Sequence, residues 1–101
     1  NPRMAPYMIL GFDTTEQRKD FEAVIHPYDL TCRPQTVNSD YNPSYEKVIK
    51  SFESKTGIGI ILNTSLNIHG FPLCNSPETA IETFQNSSID VLAIGNYILK
   101  K

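Results

Sequence analysis

The chain lacks what would tie it to a membrane, a nucleic acid or an oxidising compartment. No apolar run approaches the roughly 20 residues that a bilayer span needs, and Asn1-Pro2-Arg3-Met4 contains no signal-peptide core. Nine Lys plus Arg face eleven Asp plus Glu, a net charge of -2 without any run of like charges, so no basic footprint for nucleic acid is visible. A cytoplasmic protein without nucleic-acid or membrane partners is expected. Cysteine is scarce too. Cys32 and Cys74 stand in unrelated contexts, far from C-x-x-C spacing, and read as reduced structural thiols rather than a disulfide or metal pair. The sequons at Asn63 and Asn86 carry no meaning in a cytosolic protein. The familiar catalytic signatures G-x-S-x-G, Walker A and G-x-G-x-x-G are missing. His26 and His69, the only histidines, show no zinc spacing and read first as hydrogen-bonded structural residues.

What is present is the makeup of one soluble globular domain: 101 residues, 40% apolar and 20% charged. Position 1 is Asn rather than Met, which leads to the expectation of a piece excised from a longer protein. Tyr7 to Phe12 is a short apolar run with the look of a buried strand. Thr14 and Gln17 resemble a capping box ahead of a short helix over Thr15 to Glu22. Ala23 to His26 and Thr31 to Val37 read as extended, the second at an edge because of Pro34.

Pro43 to Thr56 is the clearest helix. Asn42 can cap it, Pro43 suits its first position, Gly57 can close it, and Tyr45, Val48, Ile49 and Phe52 share one face. Ile58 to Leu62 then reads as a buried strand with Gly59 inside it. Ser76 and Pro77 open a second helix whose Ala80, Ile81 and Phe84 face the core, and Ile89 to Leu99 supplies a last strand or two. The order predicts an α/β (α+β) domain over 1–101, a layered mixed sheet with two main helices.

Asn63, Thr64, Ser65 and Asn67 follow the run at 58–62, where α/β sheets commonly place ligands beyond strand ends. Their amides and hydroxyls can donate to phosphate or ribose oxygens; equally, they can satisfy their own loop backbone. Arg33 lies in an otherwise uncharged stretch, so its guanidinium either reaches water or meets an anion such as phosphate or carboxylate.

Four stretches carry a resemblance: "HPYDLTCRPQTV", "NPSYEKVIKSFESKTGIGIILNTSLN", "NIHGFPL" and "SPETAIETFQNSSIDVLAIGNYIL". In this order and spacing, from about Ala23 onward, they resemble the C-terminal part of the NodU-type carbamoyltransferases. The family pattern there is roughly H-x-D-x-x-x-R-x-Q-T-V, N-P-x-[FY], T-G-x-P-[VI]-x-L-N-T-S-F-N, N-x-x-G-E-P and [ST]-P-E-D-A. The resemblance implies a two-domain enzyme. A C-terminal YrdC-like domain binds ATP and carbamoyl phosphate and forms carbamoyl-adenylate; an N-terminal domain related to actin-like ATPases, where a divalent metal is expected, passes the carbamoyl group to an acceptor hydroxyl. This chain would be the C-terminal portion, inactive by itself, partnered by the missing N-terminal domain and open to dimerisation.

By the same resemblance, Arg33 matches the Arg of R-x-Q-T-V, with a catalytic role at the phosphates, and Ser65 and Asn67 match a late Ser-x-Asn motif that donates to them. Asn63 and Thr64 belong to the same nucleotide-binding segment. His26 and Asp29 fit their motif only loosely and take no role. Phe71 stands where the family has Glu, and an early K-x-R-type motif has no counterpart, Arg3 being the only basic group ahead of the first apolar run. Two alternatives stay open: a threonylcarbamoyl-adenylate synthase-like tRNA-modification enzyme, which shares the T-S-x-N element, and a non-catalytic binding or scaffold module, which Phe71 favours.

Overall fold

Local capping signals decide where the two α-helices begin and end. A computed structural model of the protein describes residues 5–101; Arg3 and the opening four residues lie outside them. Among the described residues the elements run β1 (Phe12–Asp13), two short 3-10 turns (Glu16–Asp20 and Glu22–Val24), β2 (Thr31–Cys32), α1 (Pro43–Thr56), α2 (Pro77–Gln85), β3 (Val91–Ile94) and β4 (Tyr97–Lys100). β1 pairs antiparallel with β2, and β3 with β4, as two separate two-stranded sheets. The fold is α+β, with the two main helices where the sequence places them. The chain divides into two compact units, one ending at Leu62 and the other running from Asn63 to Lys101.

In the first unit, Asn42 Oδ1 accepts from the Tyr45 amide at 3.1 Å, a cap that contributes about 1 kcal/mol. Gly57, at φ 79°, ends α1 by donating its N–H to the Glu53 carbonyl; an L-residue there would be strained. The Lys50 ammonium lies 3.1 Å from Glu46 one turn earlier, the favourable i, i+4 order on a solvated face.

Several expected elements are shorter or absent, each for a physical reason. The apolar run at Tyr7 to Phe12 turns at once, the Ile9 amide bonding back to the Tyr7 carbonyl, so only Phe12 and Asp13 join a strand. Thr15, not Thr14, caps the first helical turn, which is 3-10, and a second such turn replaces the extended segment expected from Ala23. Past Cys32, regular pairing stops before Pro34, which has no N–H to give. Thr36 and Gln35 instead hold Ala5 and Pro6: the Thr36 N–H donates to the Ala5 carbonyl at 2.7 Å, and Gln35 Nε2 to the Pro6 carbonyl at 3.0 Å. Ile58 to Leu62 forms no strand. An apolar run becomes a strand only with a neighbour to bond to, and none of the described segments pairs with it.

The second unit holds a small core. Ser76 and Thr79 form a reciprocal capping box at the start of α2, and α2 packs on β3. Ala80 and Phe84 of α2 and Leu92 of β3 are buried. Gly95 (φ 56°) at the first central position of the hairpin loop, with Asn96 not at positive φ, is the pattern of a type II′ turn.

Candidate functional site

The loop between Asn63 and α2 is closed by its own polar groups. Cys74 N–H donates to the Leu66 carbonyl at 3.1 Å and Phe71 N–H to the Ile68 carbonyl at 2.9 Å. Gly70, at φ 85°, makes the reversal that brings these ends together. Asn67 is the clasp: its Nδ2 donates to the Phe71 carbonyl at 3.0 Å and to the Ile68 carbonyl at 3.2 Å. Ser65 Oγ donates to Asn67 Oδ1 at 2.6 Å. The Ser-x-Asn pair is thus a small network in which each side chain holds the other.

This has a chemical consequence. A serine hydroxyl has one proton and two lone pairs, and the Ser65 proton is already directed at Asn67. Donating it to a phosphate oxygen means exchanging one acceptor for another, a charge-assisted bond for a neutral one, which favours the anion.

Thr64, Ser65 and Asn67 line a cavity of about 500 Å³ whose far wall is the C-terminal end of α2, with Thr83, Asn86 and Ser87. Asn86 Nδ2 caps the Glu82 carbonyl at 2.9 Å, Ser87 Oγ bonds the Phe84 carbonyl at 3.2 Å, and the Lys101 ammonium bonds the Ser87 carbonyl. This wall is the carbonyl end of a helix, where the dipole disfavours an anion. The cavity therefore offers neutral donors and acceptors, and the Lys101 ammonium, bonded to Ser87, is a cation at its wall. Thr83 of α2, and Asn86 and Ser87 just past its end, were not legible as site residues. Their one signal was the helical spacing that turns positions 83, 86 and 87 toward one side.

Arg33 belongs to the other unit. It is exposed, directly after β2, and among the described residues no ion pair involves it. Asn63 is the first residue of the second unit, and Thr64 reaches the cavity beside Ser65. The structure thus brings Thr64, Ser65 and Asn67 together and describes Arg33 separately.

Phe71 is 67% exposed and lines a second hollow of about 550 Å³ with Pro72, Leu73 and Cys74. Cys74 Sγ lies 3.2 Å from Thr83 Oγ1, and both cysteines are free thiols. His26 and Asp29 form a pair at 3.2 Å across a tight turn. Asp29 Oδ1 also accepts from the Thr31 amide at 3.0 Å and the Thr31 hydroxyl at 2.8 Å. Those two bonds, then the His26 imidazole, hold the Asp29 carboxyl below its ordinary range. Leu30 between them has φ 59°, the only non-Gly residue at positive φ among the described residues.

Among the described residues, no group of three or more His, Cys, Asp or Glu side chains is placed to hold a metal ion, and no helix is long and apolar enough to cross a membrane.

The family model described as carbamoyltransferase C-terminus matches residues 1–101. The chain belongs to this family. It is 39% identical over 102 residues to an uncharacterized protein of Methanocaldococcus jannaschii, covering 100% of this chain and 20% of that one. It is 34% identical to nodulation protein NolNO of Sinorhizobium fredii, over 95% of this chain and 14% of that protein. To 3'-hydroxymethylcephem-O-carbamoyltransferase of Amycolatopsis lactamdurans it is 30% identical, over 90% of this chain and 17% of that enzyme. The chain thus spans a fifth or less of the length of these curated relatives.

Proposed function

We propose that this chain supplies the C-terminal part of an O-carbamoyltransferase, where Arg33, Asn63, Thr64, Ser65 and Asn67 contribute to a site for ATP and carbamoyl phosphate that forms carbamoyl-adenylate. The observation that carries the reading is the Ser65–Asn67 pair at 2.6 Å beside a cavity of about 500 Å³, in a chain of the carbamoyltransferase C-terminus family. The small-molecule substrates and the acceptor hydroxyl then meet the rest of a longer enzyme, a partner domain that also holds the divalent metal in this reading.

Atom balance fixes what to measure. Joining a carbamoyl oxygen to the α-phosphorus of ATP breaks the α–β anhydride and releases pyrophosphate. Carbamoyl phosphate gives up its phosphate to water, which replaces the lost oxygen. One pyrophosphate and one phosphate appear per adenylate.

In the longer enzyme, Ser65→Ala removes a donor that strengthens when it turns from Asn67 to an anion. We expect carbamoyl phosphate-dependent pyrophosphate release to fall by roughly 10- to 100-fold, about 1.5–3 kcal/mol for a charge-assisted bond. Thermal stability should stay close to wild type, because Asn67 keeps its bonds to Phe71 and Ile68. Unchanged release in a folded Ser65→Ala protein contradicts the assignment.

One observation favours a second reading. Phe71, exposed where an acid is expected, suits a binding module that keeps the fold without the chemistry; in that case the longer protein releases no pyrophosphate at all.

A further inference from the structure

The apolar face of α1 and the run after it have no partner. Tyr45, Val48 and Phe52 are 38, 55 and 41% exposed, although their spacing is that of a buried helix face. No residue of α1 is buried, and α1 makes no extensive packing contact with another element. Ile58 to Leu62 has the composition of an interior strand, yet Ile60 and Leu62 are 41 and 56% exposed. Among the described residues, the backbone N–H and C=O groups of Gly59 to Leu62 form no hydrogen bond. Monomers seldom leave a long apolar segment unpaired and a helix face bare side by side.

We propose that α1 and Ile58 to Leu62 form one docking surface, and that its occupant is the polypeptide preceding this region in the longer relatives. That polypeptide would add a β-strand along Ile58 to Leu62 and lay apolar side chains over Tyr45, Val48 and Phe52. Strand addition suits the run because main-chain bonds supply the attraction, while the outward Ile60 and Leu62 select an apolar neighbour. The Glu53 carboxylate lies close against Gly59, so that a Cβ there would come within 3.1 Å of it and the carboxylate would have to shift; Gly59 lets the run lie near α1 without that shift.

Length argues for this occupant. The matched region is a fifth or less of each relative described above, and the family description places it at the C-terminus. Most of each relative therefore precedes it. A second copy fits less well, because symmetric pairing about Ile60 brings two Glu53 carboxylates beside the same short ladder. The inference rests on the reading that this chain works within a longer carbamoyltransferase.

Hydrogen exchange, read by mass spectrometry on the 101-residue chain alone and on the longer enzyme, tests it. The expected result is fast exchange at Gly59 to Leu62 in the chain alone and roughly 100-fold or slower exchange in the longer enzyme. Ile60→Lys should remove that protection, and Ile60→Val should keep it. Fast exchange in both forms overturns the proposal. Slow exchange in the chain alone overturns it too, assigning the surface to a second copy if protection rises with concentration and to the chain's own residues if not. Pyrophosphate release, measured on the same sample, separates the two readings. Release with unprotected amides keeps the function and loses the surface; protection without release does the reverse.

Discussion

Asp29 shows how one exposed side chain ties local geometry to a pH dependence. Its Oδ1 takes both Thr31 donors and faces His26, which lowers its pKa in the folded state. A carboxyl with a depressed folded pKa contributes stability above its unfolded value, about 3.9, and loses it as pH falls through the folded value. Thermal melting of wild type and Asp29→Asn should therefore differ most well above the unfolded value, and the difference should shrink as pH falls below it. A difference that does not shrink as pH falls would show that Asp29 acts through shape alone. At this scale the sequence was partly legible. Ser65 and Asn67 stood out as short polar residues after an apolar run, and both proposed fates, ligand donor and loop tie, involve groups that the structure joins. That Asn67 clasps Phe71 depends on the Gly70 reversal, which single-residue chemistry does not reveal.

Elements with local punctuation were the readable ones. α1 begins at Asn42 and Pro43 and stops at Gly57 because caps are decided within four or five residues. The same holds for Ser76 and Pro77 at α2. Strands were not readable in the same way, since Ile58 to Leu62 and Tyr7 to Phe12 have strand composition, but a strand also needs a neighbour to bond to. Burial separates the two helices. Phe84 is 4% exposed and Phe52 is 41% exposed, although both sit on the apolar stripe of their helix. Phe84→Ala should cost about 3–5 kcal/mol in denaturant unfolding of the chain alone. Phe52→Ala should cost about 1 kcal/mol or less, as befits a half-exposed side chain. Equal losses would mean that α1 is as well packed as α2.

For the whole molecule, the order of motifs said more than any element did. The succession R-x-Q-T-V, N-T-S-L-N and S-P-E-T-A spans both compact units, and it agrees with the family match over residues 1–101. The cavity beside the loop was not foreseeable, because its wall comes from the end of a helix about twenty positions further along the chain. The central proposal is that Arg33 binds a phosphate group of the substrates in the longer enzyme. Its most direct test is carbamoyl phosphate-dependent pyrophosphate release by the longer enzyme carrying Arg33→Ala, Arg33→Lys or Lys50→Ala, with folding checked by circular dichroism. Truncating one side of a desolvated charge pair costs roughly 2–5 kcal/mol, which corresponds to about a 30-fold to several-thousand-fold loss of rate. Arg33→Ala should show that loss, Arg33→Lys should recover little because a point charge cannot replace the planar fork, and Lys50→Ala, exposed beside Glu46, should match wild type. Wild-type release by a folded Arg33→Ala enzyme would contradict the account.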